Sequence, residues 1–360
     1  MKTEKLQYLD FLAYCLNDKA VEMPDVTGMD WEGLYVFSQQ QAIVGIVLSG
    51  IDRLIRNGNK ELNIPKDLLF EWIGQSNIIE TRNHEVNKRI KDLVRYFNNQ
   101  RIRSCILKGQ GNALMYPNPS LRAHGDIDVW LSGSKKEIVN FVHSLYPDIT
   151  VGYHHMEFPF FDDVEVEAHY YPSFSYNYIH NRRLQKFFSD NREEQFSNNT
   201  KEGFAVPTKF FNLVFQLSHM MRHFFTQGIG LRHVIDYYYL LKQGVSQEEE
   251  ERLEDVLKQC GMYKFFLSIL WIEIEVLGLR VEYNRFHPYE RAGRLVLHEM
   301  LKGGNFGKQY SHNSKNIMIN YFNQFVYNLR YIKEFPTEPL SRPITLSCDY
   351  IKRHVLRKRY

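Results

Sequence analysis

Cysteine is scarce in this chain: four in 360 residues, at Cys15, Cys105, Cys260 and Cys348, with no C-x-x-C pair. That spacing argues against a thiolate zinc cluster or a disulfide framework and fits a reducing compartment. Long apolar runs are also missing. The most apolar late stretch, Phe265 to Leu279, is interrupted by Glu273 and Glu275 and is too short to span a bilayer. Met1 to Lys5 carry no apolar signal-peptide core. A soluble, cytoplasmic protein with no membrane partner is the expectation. Charge of one sign is not in excess either, with 45 Lys and Arg against 42 Asp and Glu, a net charge of +3. So mild a bias does not by itself imply nucleic acid, and it leaves room for an acidic ligand such as a nucleotide.

The length suffices for two or three domains, and the patterning divides the chain in three. Residues 1–100 read as helical. Ala42, Ile43, Ile46, Val47 and Ile51 form the apolar side of one helix around Phe37 to Leu54. Leu69, Trp72, Val86, Ile90, Leu93 and Phe97 recur at helical spacing in another, opened by Pro65. Residues 101–175 change character. Ser104 to Leu107 reads as a buried strand, Gly109 to Tyr116 as a short helix, Pro117 to Ser120 as a turn, and Asp126 to Leu131 as a strand. Ser134 and Glu137 form a capping-box signature for a helix through Leu145. Met156 to Phe161 and Val164 to His169 alternate around Asp162-Asp163 as a β-hairpin. Residues 176–360 are helical again, with segments near 207–227, 229–243, 248–259, 261–278, 288–302, 314–333 and 343–357. The fold class is α+β: a small mixed sheet flanked by helical N- and C-terminal regions.

The chemistry concentrates in Gly125-Asp126-Ile127-Asp128-Val129-Trp130. Two aspartates separated by one residue of a strand project to the same side. Like charges held that close are costly unless a proton or cation sits between them. In the hairpin's second strand Asp163, Glu165, Glu167 and His169 share one face, so a third carboxylate is available if the two strands are neighbours. An all-oxygen set of this kind suits Mg²⁺ or Mn²⁺. Gly109 would let backbone amides approach a phosphate, and Lys108 or Arg122 would neutralise it or form structural ion pairs. Trp130 borders a pocket or packs at the strand end.

Leu107-Lys108-Gly109-Gln110, the Asn-Pro-Ser-Leu-Arg turn and Gly125-Asp126-Ile127-Asp128 together resemble the polymerase-β-type nucleotidyltransferase superfamily. More narrowly they resemble a bacterial family of that fold described as uncharacterised nucleotidyltransferases. The resemblance covers residues 104–170 and extends more weakly to His219-Met220-Met221-Arg222-His223 and Gly230 to Asp236. It implies Asp126, Asp128 and Glu167 as catalytic metal ligands, Glu167 preceding His169 in the family's acid-x-His arrangement. Glu165 is the competitor on the same face. Lys108, Gly109, Gln110 and Arg122 are implied at the nucleotide, although Gln110 stands where the wider superfamily has serine. The implied reaction moves a nucleoside monophosphate from an NTP to an acceptor that the family does not name.

His219 and His223 stand at i, i+4 on one helical face and, with Arg232 and Asp236, form a candidate acceptor pocket. A zincin-type site lacks its glutamate, since position 220 is Met. Two other readings stay open: a catalytically silent nucleotide- or partner-binding module, and a metal phosphohydrolase built on His219, His223 and Asp236. The basic end (Arg342, Lys352, Arg353, Arg357, Lys358, Arg359) is read as a solvated helix end or as a contact for RNA or an acidic partner; no aromatic-basic RNA-binding signature accompanies it.

Overall fold

The computed structural model describes residues 3–17, 24–58, 62–281, 283, 285–304 and 317–355. Four helices come first: α1 (Thr3–Leu16), α2 (Trp31–Gln40), α3 (Val44–Arg56) and the long α4 (Lys66–Asn99), which starts behind Pro65. The single helix expected over Phe37 to Leu54 is two. Ala42 takes φ +57°, which ends α2, and Gln41 turns inward. There the Gln41 side chain donates to the Met300 carbonyl and accepts from the Leu231 amide, satisfying backbone groups of two distant helices.

The sheet follows: β1 (Ser104–Ile106), α5 (Gln110–Ala113), β2 (Ile127–Leu131), α6 (Lys135–Leu145), β3 (His155–Glu157) and β4 (Val166–His169). The Ser134–Glu137 capping box opens α6. Strand order is β1-β2-β4-β3, with β1 and β3 antiparallel to their neighbours and β2 parallel to β4. The expected hairpin exists, but its strands are shorter and its turn is longer. Pairing across it runs only from His155↔His169 to Glu157↔Glu167. The reason lies in Asp163, which is drawn to Arg82 and Arg89 of α4 instead of closing a tight turn.

Period-two alternation sorts β2 between two cores. Ile127, Val129 and Leu131 join Val166, Ala168, Phe158 and the C-terminal half of α4 in one cluster. Trp130 faces the other way, against Phe196 and Phe211, in an apolar cluster that runs from α1 through the β2 edge into the C-terminal helices. Packing is therefore what Trp130 does. Among the described residues the C-terminal region holds α7 (Tyr178–Asp190), α8 (Arg192–Ser197), α9 (Lys209–Phe224), α10 (Leu231–Leu241), α11 (Gln247–Gln259), α12 (Tyr263–Trp271), α13 (Glu290–Gly303), α14 (Ile317–Asn328) and α15 (Thr337–Val355). Helices α7 and α8 fall where the sequence pattern gave no segment. Arg357, Lys358 and Arg359 lie outside the described residues. No helix of the described chain is long and apolar enough to cross a membrane.

Candidate active site

The parallel register of β2 and β4 sets Asp128 directly opposite Glu167. That pairing is what the sequence needed and did not itself supply. Of the two candidate acids, Glu167 faces Asp128, while Glu165 lies exposed just before β4. His169, two residues on and on the same face, donates its Nε2–H to Asp128 Oδ1 at 3.0 Å and to Glu167 Oε2 at 3.2 Å. Lys108 Nζ closes the group, 2.9 Å from Asp128 Oδ2 and 3.7 Å from Asp126 Oδ2. Asp128 is only 1% exposed while Asp126 is 34% exposed, so one carboxylate is sealed in and the other faces the opening. The repulsion expected between the acids is thus met by an ammonium and an imidazolium.

The electrostatics agree. Burial disfavours the charged imidazole of His169, but the hydrogen bonds to Asp128 and Glu167 outweigh it and raise its pKa to about 9. Burial likewise opposes ionisation of Glu167, yet His169 and the neighbouring His155 and Lys108 hold its pKa at about 2. Lys108 is pushed down by burial and up, more strongly, by Asp128, Asp126 and Glu167.

The turn after β1 carries Gly109 with φ +62° and ψ −112°, a conformation L side chains rarely adopt. A Cβ there would meet no backbone closer than 3.5 Å, so conformation rather than space requires glycine. The turn points Lys108 at the acids. Gln110 is buried and turned toward α4, where it donates to Asn87 Oδ1 at 3.0 Å.

Lys108, Gly109, Gly125, Asp126, His219 and Arg232 line one cleft, floored by a polar cluster. At its centre is Asp236, which accepts from Arg122 Nε and a second guanidinium nitrogen at 2.7 Å each, from Tyr116 Oη at 2.6 Å and from Asn112 Nδ2 at 3.1 Å. Arg122 and Asp236 are both buried, and burial pushes each toward its neutral form. Their mutual attraction outweighs that, raising Arg122 and lowering Asp236. Arg122 is thereby committed to a structural ion pair, and Asp236 has no lone pair left for a metal. The ligand groups that converge among the described residues are His154, His155, His169 and Asp128, Glu167, His169; neither contains His219, His223 or Asp236. A phosphohydrolase metal site on those three residues is therefore not formed. His223 sits behind the cleft with Arg222, which donates to His223 Nε2 at 2.9 Å and His219 Nδ1 at 3.4 Å. Arg232 donates to the Ala123 and His124 carbonyls.

His154 and His155 entered no sequence-based candidate set. The only signal was two adjacent histidines at the head of a strand expected to pair with the acidic one. Burial depresses the pKa values of His154, His219 and His223 well below the ordinary imidazole value, His155 to about 4 and His233 to about 3. A histidine held neutral by the fold stabilises it above the ordinary value of 6.5, and that contribution is lost as pH falls toward the depressed value. His169, raised to about 9, works in the opposite sense: its contribution is present below 6.5 and lost as pH rises through 9. His124 and His180 are held low as well, so seven depressed imidazoles weigh on the acid limb against one raised imidazole on the alkaline limb. Chelator-treated protein should melt highest near pH 6.5, with the steeper fall on the acid side. A flat melting temperature from pH 6.5 to 5 in a calorimetric series would contradict this.

Opposed carboxylates on a small mixed sheet and the Lys108-Gly109 turn thus meet at one helix-walled cleft. A family model described as uncharacterised nucleotidyltransferase matches residues 27–278, well over half of the chain, and the protein belongs to that family. No curated protein and no solved structure matches it.

Proposed function

We propose that the protein transfers a nucleoside monophosphate from an NTP to an acceptor hydroxyl, releasing pyrophosphate, with a divalent cation such as Mg²⁺ or Mn²⁺ held by Asp126, Asp128 and Glu167. The observation that carries this reading is the register of Asp128 against Glu167, with Asp126 and Lys108 converging on the same point. The donor set fits a cation: two neighbouring strands aim ionised oxygens at a spot where Lys108 and His169 now supply positive charge. Bound there, the cation would act as a Lewis acid on the phosphoryl group and neutralise developing charge.

The residues of the chain divide the remaining work. Lys108 faces both aspartates from the Gly109 turn and is placed to contact the triphosphate, with the turn's backbone in reach of its oxygens. Glu167 faces Asp128 across the strand pair, and His169, His155 and Lys108 hold it in the charged form despite its burial, which suits an anionic ligand of the cation. His219 and Arg232 on the opposite wall would contact the acceptor. Arg122 and Asp236 hold that wall in place.

The test uses wild-type protein with each of four α-labelled NTPs, a divalent cation and mixed small-molecule and protein acceptors. Cation-dependent pyrophosphate release with label transfer is expected. Cation-dependent nucleotide binding without product from any NTP would overturn the reading in favour of a silent binding module, the outcome that the turned-away Gln110 would then explain.

A further inference from the structure

Three adjacent strands bring donors to one level of the sheet. Asp128 comes from β2, Glu167 and His169 from β4, and His155 from β3, since the registers Asp128↔Glu167 and His155↔His169 place all four on one face. The contacts are close: His169 Nε2 to Asp128 Oδ1 3.0 Å, His169 Nε2 to Glu167 Oε2 3.2 Å, and His155 Nδ1 to Glu167 Oε2 3.3 Å. His154 Nε2 stands 3.2 Å from His155 Nδ1. Ligands on one ion at bond lengths of 2.0–2.1 Å are separated by roughly 3–3.4 Å along the edges of their polyhedron. The contacts across this sheet fall within that range.

The outer nitrogens support the same reading. His169 donates Nδ1–H to the Tyr171 carbonyl at 3.2 Å, which fixes the ring and directs Nε2 at the acids, the arrangement that orients metal-bound imidazoles. The His154 carbonyl accepts from the Tyr170 and Tyr171 amides, which anchors the entry to β3. Mg²⁺ demands oxygen ligands and sheds water reluctantly, whereas imidazole suits first-row transition ions and zinc. His169 also serves the acids as counter-charge, but a purely carboxylate platform would need neither His155 nor His154 beside it.

We propose that the cation position beside β4 is a mixed nitrogen–oxygen centre formed by Asp128, Glu167, His169 and His155, with His154 adjoining it, and that it takes Mn²⁺, Co²⁺ or Zn²⁺ in preference to Mg²⁺. This rests on the nucleotidyl-transfer reading for the purpose of the cation, while its test does not depend on turnover.

Chelator-stripped full-length protein is titrated calorimetrically with Mg²⁺, Mn²⁺, Co²⁺ and Zn²⁺, and the Mn²⁺-loaded form is examined by pulsed electron paramagnetic resonance for nitrogen couplings. Affinity for the transition ions should exceed that for Mg²⁺ on the order of 100-fold, rising from Mn²⁺ to Co²⁺. Nitrogen couplings should be present. His155→Gln should weaken Mn²⁺ and Co²⁺ binding roughly 10- to 100-fold, reduce the couplings and leave Mg²⁺ binding within about twofold. His169→Gln, checked for retained helicity and cooperative melting, should likewise weaken Mn²⁺ and Co²⁺ binding and reduce the couplings. Mg²⁺ and Mn²⁺ affinities within a few-fold of each other, or a Mn²⁺ spectrum without nitrogen couplings, would overturn the proposal while leaving nucleotidyl transfer intact. Nitrogen-ligated Mn²⁺ in a protein that turns over no NTP would support the metal centre and sink the functional reading instead.

Discussion

Asp128→Asn should abolish nucleotidyl transfer, by at least about 10³-fold in kcat, and lower the melting temperature of the metal-free protein in the same step. Both effects follow from where the carboxylate sits. It is almost wholly buried between the Lys108 ammonium and the His169 imidazolium, so it is a ligand when a cation is present and the counter-charge when none is. Removing one partner of a buried ion pair costs about 3–5 kcal/mol. Glu167 and Asp126 remain to share the load, which puts the expected cost at the lower end. Asp126→Asn is the informative companion, because its side chain is partly exposed. It should lose transfer with little change in melting. Label transfer from an α-labelled NTP and differential scanning calorimetry read the two effects separately. Unimpaired transfer by Asp128→Asn would end the proposed mechanism.

The second large effect is one of stability. Asp236→Ala strands the Arg122 guanidinium in the interior and leaves Tyr116 and Asn112 without their acceptor. Urea unfolding should show a loss of roughly 3–5 kcal/mol. Removing both charges, as Arg122→Met with Asp236→Leu, should cost less than Asp236→Ala alone, since no uncompensated charge is left behind. A double variant at least as unstable as the single one would mean that the pair contributes more than mutual neutralisation.

Much of the site was legible in the residues themselves because strand geometry is so restrictive. Asp128 and Trp130 had to share a face, Ser134 and Glu137 had to start a helix, and Glu167 had to point with His169; Asp126 lies one residue before β2 and meets Asp128 through Lys108. What the sequence could not reveal was which strand lies beside which. Only the β2–β4 register separates Glu167 from Glu165, and only the β3–β4 register brings His155 to the acids. Arg122 illustrates a different limit. Phosphate contact and ion pairing use the same guanidinium, and the partner that decides between them lies 114 residues away. The α2–α3 break was hidden for a similar reason, since Gln41 finds its partners on α10 and α13.

The loop that carries Asp126 is braced from two directions at one residue. The Arg122 carbonyl accepts from Asn83 on α4, while the Arg122 side chain is gripped by Asp236 on α10. Helix α4 also reaches the Gly109 turn through Asn87 and the hairpin end through Arg82 and Arg89. One rod thus sets the spacing of three separate loops, and a single ion pair couples that rod to the far wall. An enclosure cross-tied in this way has low mechanical compliance. Walls whose spacing the fold already sets lower the ordering cost that any ligand of the cleft must meet.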